Sequence, residues 1–452
     1  MILEALRPMR RLENADEEKF WEAWVKDAVF YFRFGKIGSP GQTKLKRFKT
    51  TAEAEAELKK KLDEKLTQGF SEGDGGDEGD ADGSTATHPD LEARILEDPE
   101  DTSSYLVYAD WLSERGDPRG DLITVQAKLA QSPTSELKAQ EKKLLHDNGA
   151  AWLGSFADAK EIDAGIRWRL GFIDSFRLGP IDDYETSELD FPTALEEILA
   201  LPGIRMLREL IIGSKSYDDY PTSWADCVEA LAEHGVPAGL RRLQITRGGY
   251  WDISSTELGS IESLYPHMPR LQHLSIEMGS MDFGKMILPE LRSLEVVTGG
   301  LTAENLRAIR DAKWPHLEKL LLYIGATEND YGCDVQMGDV LALVQSGAFN
   351  HVRYLGLANS TLADEIAAEL PRTGILPQLK TLDLSHGTFG DEGAKAMLEH
   401  ADAYRHLETI YLTHHYVSDE LAEELAKLGP NVVLADAQSA DDPEDRYVAV
   451  SE

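Results

Sequence analysis

Apolar residues recur through the second half of the chain in the spacing apolar-x-x-apolar-x-apolar. The nine units begin at Ile173, Leu207, Leu240, Leu271, Leu291, Leu317, Val352, Leu379 and Leu407. The last two steps are 27 and 28 residues long, and the earlier ones range from 20 to 35. Because alternate side chains of a strand point to opposite faces, each unit predicts a short strand with one buried face.

Helical patterns follow several of these strands, at 301–312, 361–370, 389–401 and 417–429. A strand and a helix alone cannot cover their own apolar faces, so such units stack into a curved, parallel-stranded solenoid. The spacing resembles the leucine-rich-repeat family over about 165–437, and the final units are similar to its ribonuclease-inhibitor type. The resemblance implies an α/β horseshoe, with a domain spanning 151–438.

The units depart from that family at one position. The consensus places asparagine three residues after the last apolar position, where its amide bonds the neighbouring turns. Glycine permits a turn with positive φ but has no side-chain donor, so we expect tight turns largely without the asparagine ladder. The residues found there are Gly248, Gly279, Gly299, Gly325 and Gly387, with Lys215, Ser360 and His415 in other units.

Outward positions of the predicted strands combine tyrosine with charges of both signs. Tyrosine buries much area at a low cost in side-chain entropy, so a rigid surface of this kind favours protein recognition. An ordinary solvated sheet face is the alternative. The candidate protein-binding residues are Arg242, Gln244, His273, Lys319, Tyr323, Tyr354, Asp383 and Tyr411.

Residues 88–130 predict three short helices, with Asp90 and either Asp101 or Thr102 as N-caps. Between the second and third, "RGDPRGD" (115–121) is typical of a corner, with Gly116 ending one helix and Asp117 and Pro118 starting the next. The stretch 91–126 resembles the bacterial repeat-companion domain, which accompanies repeat arrays. The resemblance implies a small helical cap over 89–150, and it supplies no function because that family has no established activity.

The same corner has a dense cluster of charged residues that could suggest catalysis. Asp110, Glu114, Arg115 and Arg119 could form a carboxylate–guanidinium network, and paired carboxylates can perform acid–base work. The motif contains no nucleophile–base pair, histidine or phosphate loop, which favours a structural network.

Other catalytic and metal-binding patterns are absent from the sequence. It contains no HExxH, GxSxG, GxGxxG or Walker sequence, and the adjacent His414 and His415 make a poor metal pair. We therefore expect no catalytic, cofactor or metal site, and a protein that is not an enzyme.

The N-terminal module, residues 1–70, follows a different pattern. Alternating apolar residues at 29–34, a Gly-Ser-Pro-Gly turn, a second strand near 44–48 and an alanine-, glutamate- and lysine-rich helix follow in order. The segments "FGKIG" (34–38), "GQTKLKRF" (41–48) and "EKLTQGF" (64–70) resemble the WGR domain over 9–70. This domain occurs in poly(ADP-ribose) polymerases and many bacterial proteins.

The WGR resemblance implies contact with nucleic acid. In the eukaryotic polymerases the domain contacts broken DNA ends through the tryptophan and arginine of its Trp-Gly-Arg triplet, positions held here by Phe34 and Lys36. Phenylalanine can stack on a base, but lysine lacks the planar guanidinium fork. Residues 33–49 carry no acid, which fits a phosphate footprint. The candidate nucleic-acid-binding residues are Arg33, Phe34, Lys36, Lys44, Lys46, Arg47 and Lys49.

Two other interpretations of this module stay open. The lysines could be a solvated face with Phe34 in the core, or the module could bind an acidic protein surface. The charge distribution is relevant to the binding partner of the module. Residues 1–70 carry a net charge of +3 in a chain whose net charge is −35, which leaves −38 elsewhere. A field of that sign repels nucleic acid from the rest of the chain.

Composition sets the remaining boundaries. Residues 71–88 hold six acids, no lysine or arginine and no large apolar side chain, which predicts a flexible linker. Residues 439–452 predict a frayed acidic tail. Two distant cysteines and the lack of a long apolar run favour a cytoplasmic protein with no membrane span.

The sequence therefore predicts a non-enzymatic adaptor. The repeat surface would bind a protein partner, and the WGR module would contact nucleic acid or an acidic partner. The alternative is a nucleic-acid-end sensor or regulator that acts through the module.

Overall fold

The computed structural model describes residues 10–14, 19–26, 29–37, 42–72, 87–154, 156, 165–179, 191–213, 222–247, 252–326, 332–440 and 442–451. The chain divides into two compact units. The first holds residues 1–163, 169–171 and 201–203, and the second holds 164–168, 172–200 and 204–452.

The first unit begins with a five-stranded antiparallel sheet packed against one helix. The strands are β1 (Arg10–Asn14), β2 (Lys19–Lys26), β3 (Val29–Lys36), β4 (Gln42–Arg47) and β5 (Ser71–Glu72), in the order β4-β3-β2-β1-β5. Helix α1 (Thr51–Thr67) starts at Thr50, whose side chain accepts a hydrogen bond from the backbone of Glu53. The core between sheet and helix contains Leu12, Trp21, Ala23, Phe30, Ala54 and Phe70.

This sheet confirms the two predicted strands and adds three. It also moves the start of the predicted linker, because Ser71 and Glu72 pair with Glu13 and Leu12 of β1. The prediction was wrong at these two residues since only a distant strand makes them part of a sheet. Of the rest of the predicted linker, 73–86 lie outside the described residues, and 87–88 lead directly into the next helix.

Four helices follow, α2 (Pro89–Glu97), α3 (Thr102–Ser113), α4 (Arg119–Gln131) and α5 (Ser135–Leu153). Asp101 caps α3 as predicted, and its hydrogen bonds from Ser103 and Ser104 lower the pKa of its carboxyl to about 2. The cap of α2 is His88 rather than the predicted Asp90. Helix α5 was not predicted.

The corner between α3 and α4 forms as the sequence indicates, with Gly116 at φ 72°. Its ion pair differs from the predicted network. Arg119 Nε donates to Asp117 Oδ2 at 2.9 Å, and the two side chains are only 2% and 0% exposed. Asp110 is exposed, and Glu114 meets Arg115 at the surface at 3.9 Å. The network prediction was wrong because the turn buries only Arg119 and Asp117, while Asp110, Glu114 and Arg115 stay at the surface.

The second unit is built on an eleven-stranded sheet. After the first strand, each strand pairs in parallel with the next one of this sheet along the chain. Its strands are β6 (Ile166–Arg169), β7 (Phe172–Leu178), β8 (Glu209–Ile212), β10 (Arg242–Thr246), β12 (His273–Glu277), β14 (Ser293–Val297), β15 (Lys319–Gly325), β16 (Tyr354–Ser360), β17 (Thr381–Asp383), β18 (Thr409–Tyr411) and β19 (Asn431–Val433). All nine predicted strands are present, and β6 and β19 are additional. A smaller parallel sheet contains β9 (Thr222–Ser223), β11 (Thr256–Ser260) and β13 (Ser280–Asp282).

Helices connect many of these strands. They are α6 (Phe191–Leu199), α7 (Ala225–His234), α8 (Ala303–Asp311), α9 (Met337–Val344), α10 (Ala363–Glu369), α11 (Asp391–Glu399), α12 (Ala401–Tyr404) and α13 (Asp419–Leu425). The four helical patterns seen in the sequence correspond to α8, α10, α11 and α13. Short 3-10 turns, such as Glu262–His267 before β12, replace an α-helix between some strands.

The core of the second unit is the set of apolar repeat positions. Leu274, Leu294, Leu320 and Leu355, on four adjacent strands, are all at most 1% exposed. The chain is therefore a mixed α/β protein in which the predicted alternation decides which face of the large sheet is buried.

Glycines that follow the strands act through close backbone approach more than through left-handed φ. Of the four predicted glycines that the structure describes, Gly325 has a positive φ (97°), whereas Gly279, Gly299 and Gly387 do not. A Cβ on Gly387 would lie 2.5 Å from the carbonyl oxygen of Ser360 in the preceding turn. The predicted positive φ is therefore confirmed at Gly325 and was wrong at the other three described glycines, and Gly248 lies outside the described residues.

We expect Arg119→Ala to lower the free energy of unfolding by about 3–5 kcal/mol, because it leaves the Asp117 carboxylate buried without its partner. Asp110→Asn, at an exposed position of the same corner, should change it by less than about 0.5 kcal/mol. Thermal and denaturant unfolding of both variants beside the native chain measures this. Equal effects of the two substitutions would contradict the buried pair as the anchor of the corner.

Candidate functional site

The outward residues of the large sheet form two adjacent rows, which we call the sheet wall. Strand register places Arg242 between Glu209 and His273 in one row, and Lys319 beside Tyr354 further along the same row. Asp383 lies opposite Tyr411 in the second row. The candidate protein-binding residues therefore share one face, as predicted from their positions in the repeat.

The positive charges of the sheet wall pair with carboxylates of the same wall. Arg242 Nε lies 3.2 Å from Glu209 Oε1, and Lys319 Nζ lies 2.8 Å from Glu295 Oε1. These four side chains are partly exposed, with fractions between 20% and 50%. Because the cations have neighbouring anions, the wall presents compensated polar groups rather than a positive field.

Tyr354 is the centre of the described polar contacts on the wall. Its hydroxyl donates to Asp383 Oδ2 at 2.5 Å, and Lys319 Nζ lies 4.9 Å above its ring. Asp383 also accepts from the backbone of Ser385 at 2.9 Å. Burial, together with the Asp383 carboxylate, raises the pKa of the Tyr354 hydroxyl above its ordinary value, so it stays a neutral donor.

Tyr323 and His386 extend this cluster. Their ring centroids are 5.7 Å apart. Burial, with Asp383 nearby, raises the pKa of Tyr323 to about 12, and burial lowers the pKa of His386 below its ordinary value. Both rings are therefore uncharged near neutral pH, which suits an aromatic contact surface.

The structure brings the predicted residues together in two groups. The first group lies on β15 to β18 and is called the Tyr354 cluster. Its predicted members are Lys319, Tyr323, Tyr354, Asp383 and Tyr411. The second group, Arg242, Gln244 and His273, lies on β10 and β12, with β14 between them and β15.

His386 was missed by sequence reasoning. The repeat consensus directs attention to the next residue, Gly387, so the side chain that reaches Tyr323 stands one position earlier than expected. The sequence signal for His386 was its position directly before the consensus glycine, Gly387.

The basic candidates of the N-terminal module divide differently. Phe34 is half-buried, packs against the module's core and stacks on Phe32 with 6.0 Å between centroids. Strand alternation places Phe34 on the α1 side, where it packs against the core but stays partly exposed, so both interpretations of this residue stay open. Lys36 and Lys49 are exposed.

Lys46 is held by its neighbours. Its Nζ lies 3.1 Å from Glu57 Oε1 on α1 and 5.1 Å from the centre of the Phe48 ring. The side chains of Arg33, Lys44 and Arg47 lie outside what the structure describes. The described part of the predicted footprint is thus limited to Lys36, Lys46 and Lys49.

An aromatic pair on the other face of the module was not predicted. Trp24 of β2 lies opposite Tyr31 of β3, and their rings stack 5.4 Å apart at an interplanar angle of 3°. Both are half-buried, and alternation places them on the opposite face from Trp21. The alternation of aromatic residues along β2 and β3 contains the signal for this pair.

The described residues contain neither a metal-binding cluster nor a membrane-spanning helix. No cluster of three or more histidine, cysteine, aspartate or glutamate side chains there could hold a metal ion. No described helix combines the length and the apolar character needed to cross a membrane.

Comparison with known proteins identifies the N-terminal module. The WGR-domain family model matches residues 9–77, so this chain carries a WGR domain there, extending seven residues past the predicted end. A search of curated proteins finds no match.

A solved structure of a protein from Bacteroides fragilis is similar to this chain, with a TM-score of 0.54 and 22% sequence identity. The similarity covers 98% of this chain and 100% of that one. At this identity it shows a shared fold.

Proposed function

We propose that this protein is a non-enzymatic adaptor. The sheet wall of its second unit binds a protein partner, and its WGR domain contacts nucleic acid or an acidic partner. In this proposal, residues 151–438 form a leucine-rich-repeat domain of ribonuclease-inhibitor type, and 89–150 form a repeat-companion segment. The Tyr354 cluster is the observation that carries the protein-binding part.

The cluster supports protein binding because its aromatic groups are already fixed. The bond from Tyr354 to Asp383 and the ring contact between Tyr323 and His386 limit side-chain motion before a partner arrives. Preorganised side chains lose less entropy on association, and partly exposed tyrosines are common energetic centres of interfaces. Tyr411, at 36% exposed, offers the most accessible ring of the group.

The WGR match supports the nucleic-acid part. Lys36 and Lys49 are exposed cations that could meet phosphates. Because Phe34 packs against the module's core, base stacking would fall more readily to the Trp24–Tyr31 pair on the opposite face. A nucleic-acid-end sensor is the second candidate function, favoured by the same family match.

Affinity capture with the full chain tests the wall. Tyr411→Ala should lower recovery of the captured partner by about tenfold or more, since it removes an exposed aromatic contact. Ile287→Ala, an apolar side chain 58% exposed on the segment between β13 and β14, is the matched control and should leave recovery unchanged. Equal recovery with Tyr411→Ala and the native chain would argue against the wall as the interface.

Fluorescence anisotropy of the full chain with linear and closed circular DNA tests the WGR domain. We expect binding that weakens with salt, and Lys36→Glu with Lys49→Glu should reduce the slope of log K against log salt by about 1 per lost phosphate contact. Lys427→Glu, an exposed lysine of the second unit, is the charge control. Absence of binding at low salt would remove the nucleic-acid role, and equal affinity for linear and circular DNA would remove the end-sensor role.

A further inference from the structure

The segment Arg446–Ser451, here called the strap, packs on the second unit. Its sequence, within the acidic stretch 439–452, predicted a frayed tail, but Val448 is only 3% exposed. Backbone groups of Tyr447, Ala449 and Val450 make hydrogen bonds to residues at the end of β16 and just after β17 and β18. The tail prediction was wrong for these residues, because their partners lie far away in sequence.

The strap lies on a row of unusual backbone positions, the edge turns. One non-glycine residue with positive φ stands at the carboxyl end of each of β16 to β19. Asn359 (52°) is within the last two residues of β16, and His386 (67°), His414 (60°) and Asp436 (55°) follow β17, β18 and β19. Such residues are uncommon and carry a conformational cost, so a regular series of them is a built feature.

Backbone hydrogen bonds link these turns. Asn359 N–H donates to Ser385 O at 2.7 Å, His386 N–H to Thr413 O at 2.7 Å, and His414 N–H to Ala435 O at 2.9 Å. The ladder continues the order of the sheet past the ends of the strands. The carbonyl of His386 then accepts a hydrogen bond from the strap.

Asn359 recognises the backbone of one strap residue from both sides. Its Oδ1 accepts from Val450 N–H at 2.9 Å, and its Nδ2 donates to Val450 O at 2.7 Å. The asparagine itself is fully buried. Ala449 N–H adds a bond to His386 O at 2.8 Å. These contacts recognise backbone groups rather than particular side chains.

Aromatic contacts add a side-chain preference at one end of the strap. The Tyr447 ring lies edge-on to His414, with 5.4 Å between centroids, and edge-on to Tyr416 at 6.2 Å. Tyr447 N–H donates to the Tyr416 hydroxyl at 3.1 Å, and that hydroxyl lies 3.2 Å from Tyr447 O. Gly299 allows close approach at the other end, since a Cβ there would lie 3.0 Å from Ser451 O.

We propose that the edge turns are a peptide-binding groove, which the strap occupies in cis and an extended segment of a protein partner occupies in trans. The partner segment would present an aromatic residue followed by small and β-branched apolar residues, the chemistry of Tyr447 to Val450. This deepens the proposed protein-binding function by naming the class of ligand. The strap acts as a tethered competitor, since a short tether gives an effective concentration of about millimolar.

A labelled peptide with the sequence of residues 442–452 tests the groove in the full chain. Val450→Pro removes the N–H that Asn359 Oδ1 accepts, so it should loosen the strap and let the peptide bind at least tenfold more tightly than to the native chain. A peptide with the same proline substitution is the matched control and should bind at least tenfold more weakly. Adding Asn359→Gly, which keeps the positive φ accessible, should abolish the gain.

Several results would overturn the proposal. One is the absence of saturable peptide binding to a folded Val450→Pro chain. Another is equal binding of the native and the proline-substituted peptide. Dimerisation of that chain that increases with concentration would assign the groove to a second copy instead. If Val450→Pro does not fold, Ala449→Pro removes the bond to His386 O and serves in its place. The Tyr411→Ala capture separates this test from the sheet wall, because Tyr411 makes none of the strap contacts described above.

Discussion

Backbone hydrogen bonds from turn to turn, at the carboxyl ends of β16 to β19, are the interaction on which the candidate surfaces depend. Asn359, His386 and His414 each donate their N–H to the turn that follows the next strand. Close approach makes this possible, and Gly387 provides it, because a Cβ there would lie 2.5 Å from Ser360 O. The added Cβ and the Ser360 carbonyl would both belong to the packed backbone, so neither could move without disturbing the parallel ladder.

The same ladder organises both faces used for recognition. It continues the parallel register of β16 to β19, in which Asp383 lies opposite Tyr411 on the wall. Past the strand ends it fixes the left-handed residues, and these present the His386 carbonyl and the Asn359 amide to the strap. Wall and groove are therefore two consequences of one repeated geometry, whereas the WGR domain has its own sheet and core.

Sequence reasoning succeeded where local pattern and burial agree. The apolar spacing identified nine strands of the large sheet because residues such as Leu320 and Leu355 are excluded from water. The WGR domain was found because its strands, turn and helix lie within one short segment, now matched over 9–77. The α3–α4 corner was found because glycine and proline decide its backbone directly.

Long-range partners could not be predicted from the same patterns. Asn359 and Val450 are 91 positions apart, and nothing local indicates that they meet. The buried partner of Arg119 was misassigned because Asp117 was interpreted only as the start of a helix, and only packing shows that the turn encloses both side chains. Phe34 was ambiguous since an alternating strand shows which residues share a face but not which face the helix covers.

Hydrogen exchange at the Ala449 and Val450 amides tests the central claim most directly. In the native chain, both should exchange at least about tenfold more slowly than in a free peptide, because His386 O and Asn359 Oδ1 accept them. Gly387→Ala should displace the His386 turn and speed exchange at Ala449, whereas Gly374→Ala, with no atom within 4 Å of its added Cβ, should not. Free-peptide exchange at both amides in the native chain would contradict the account.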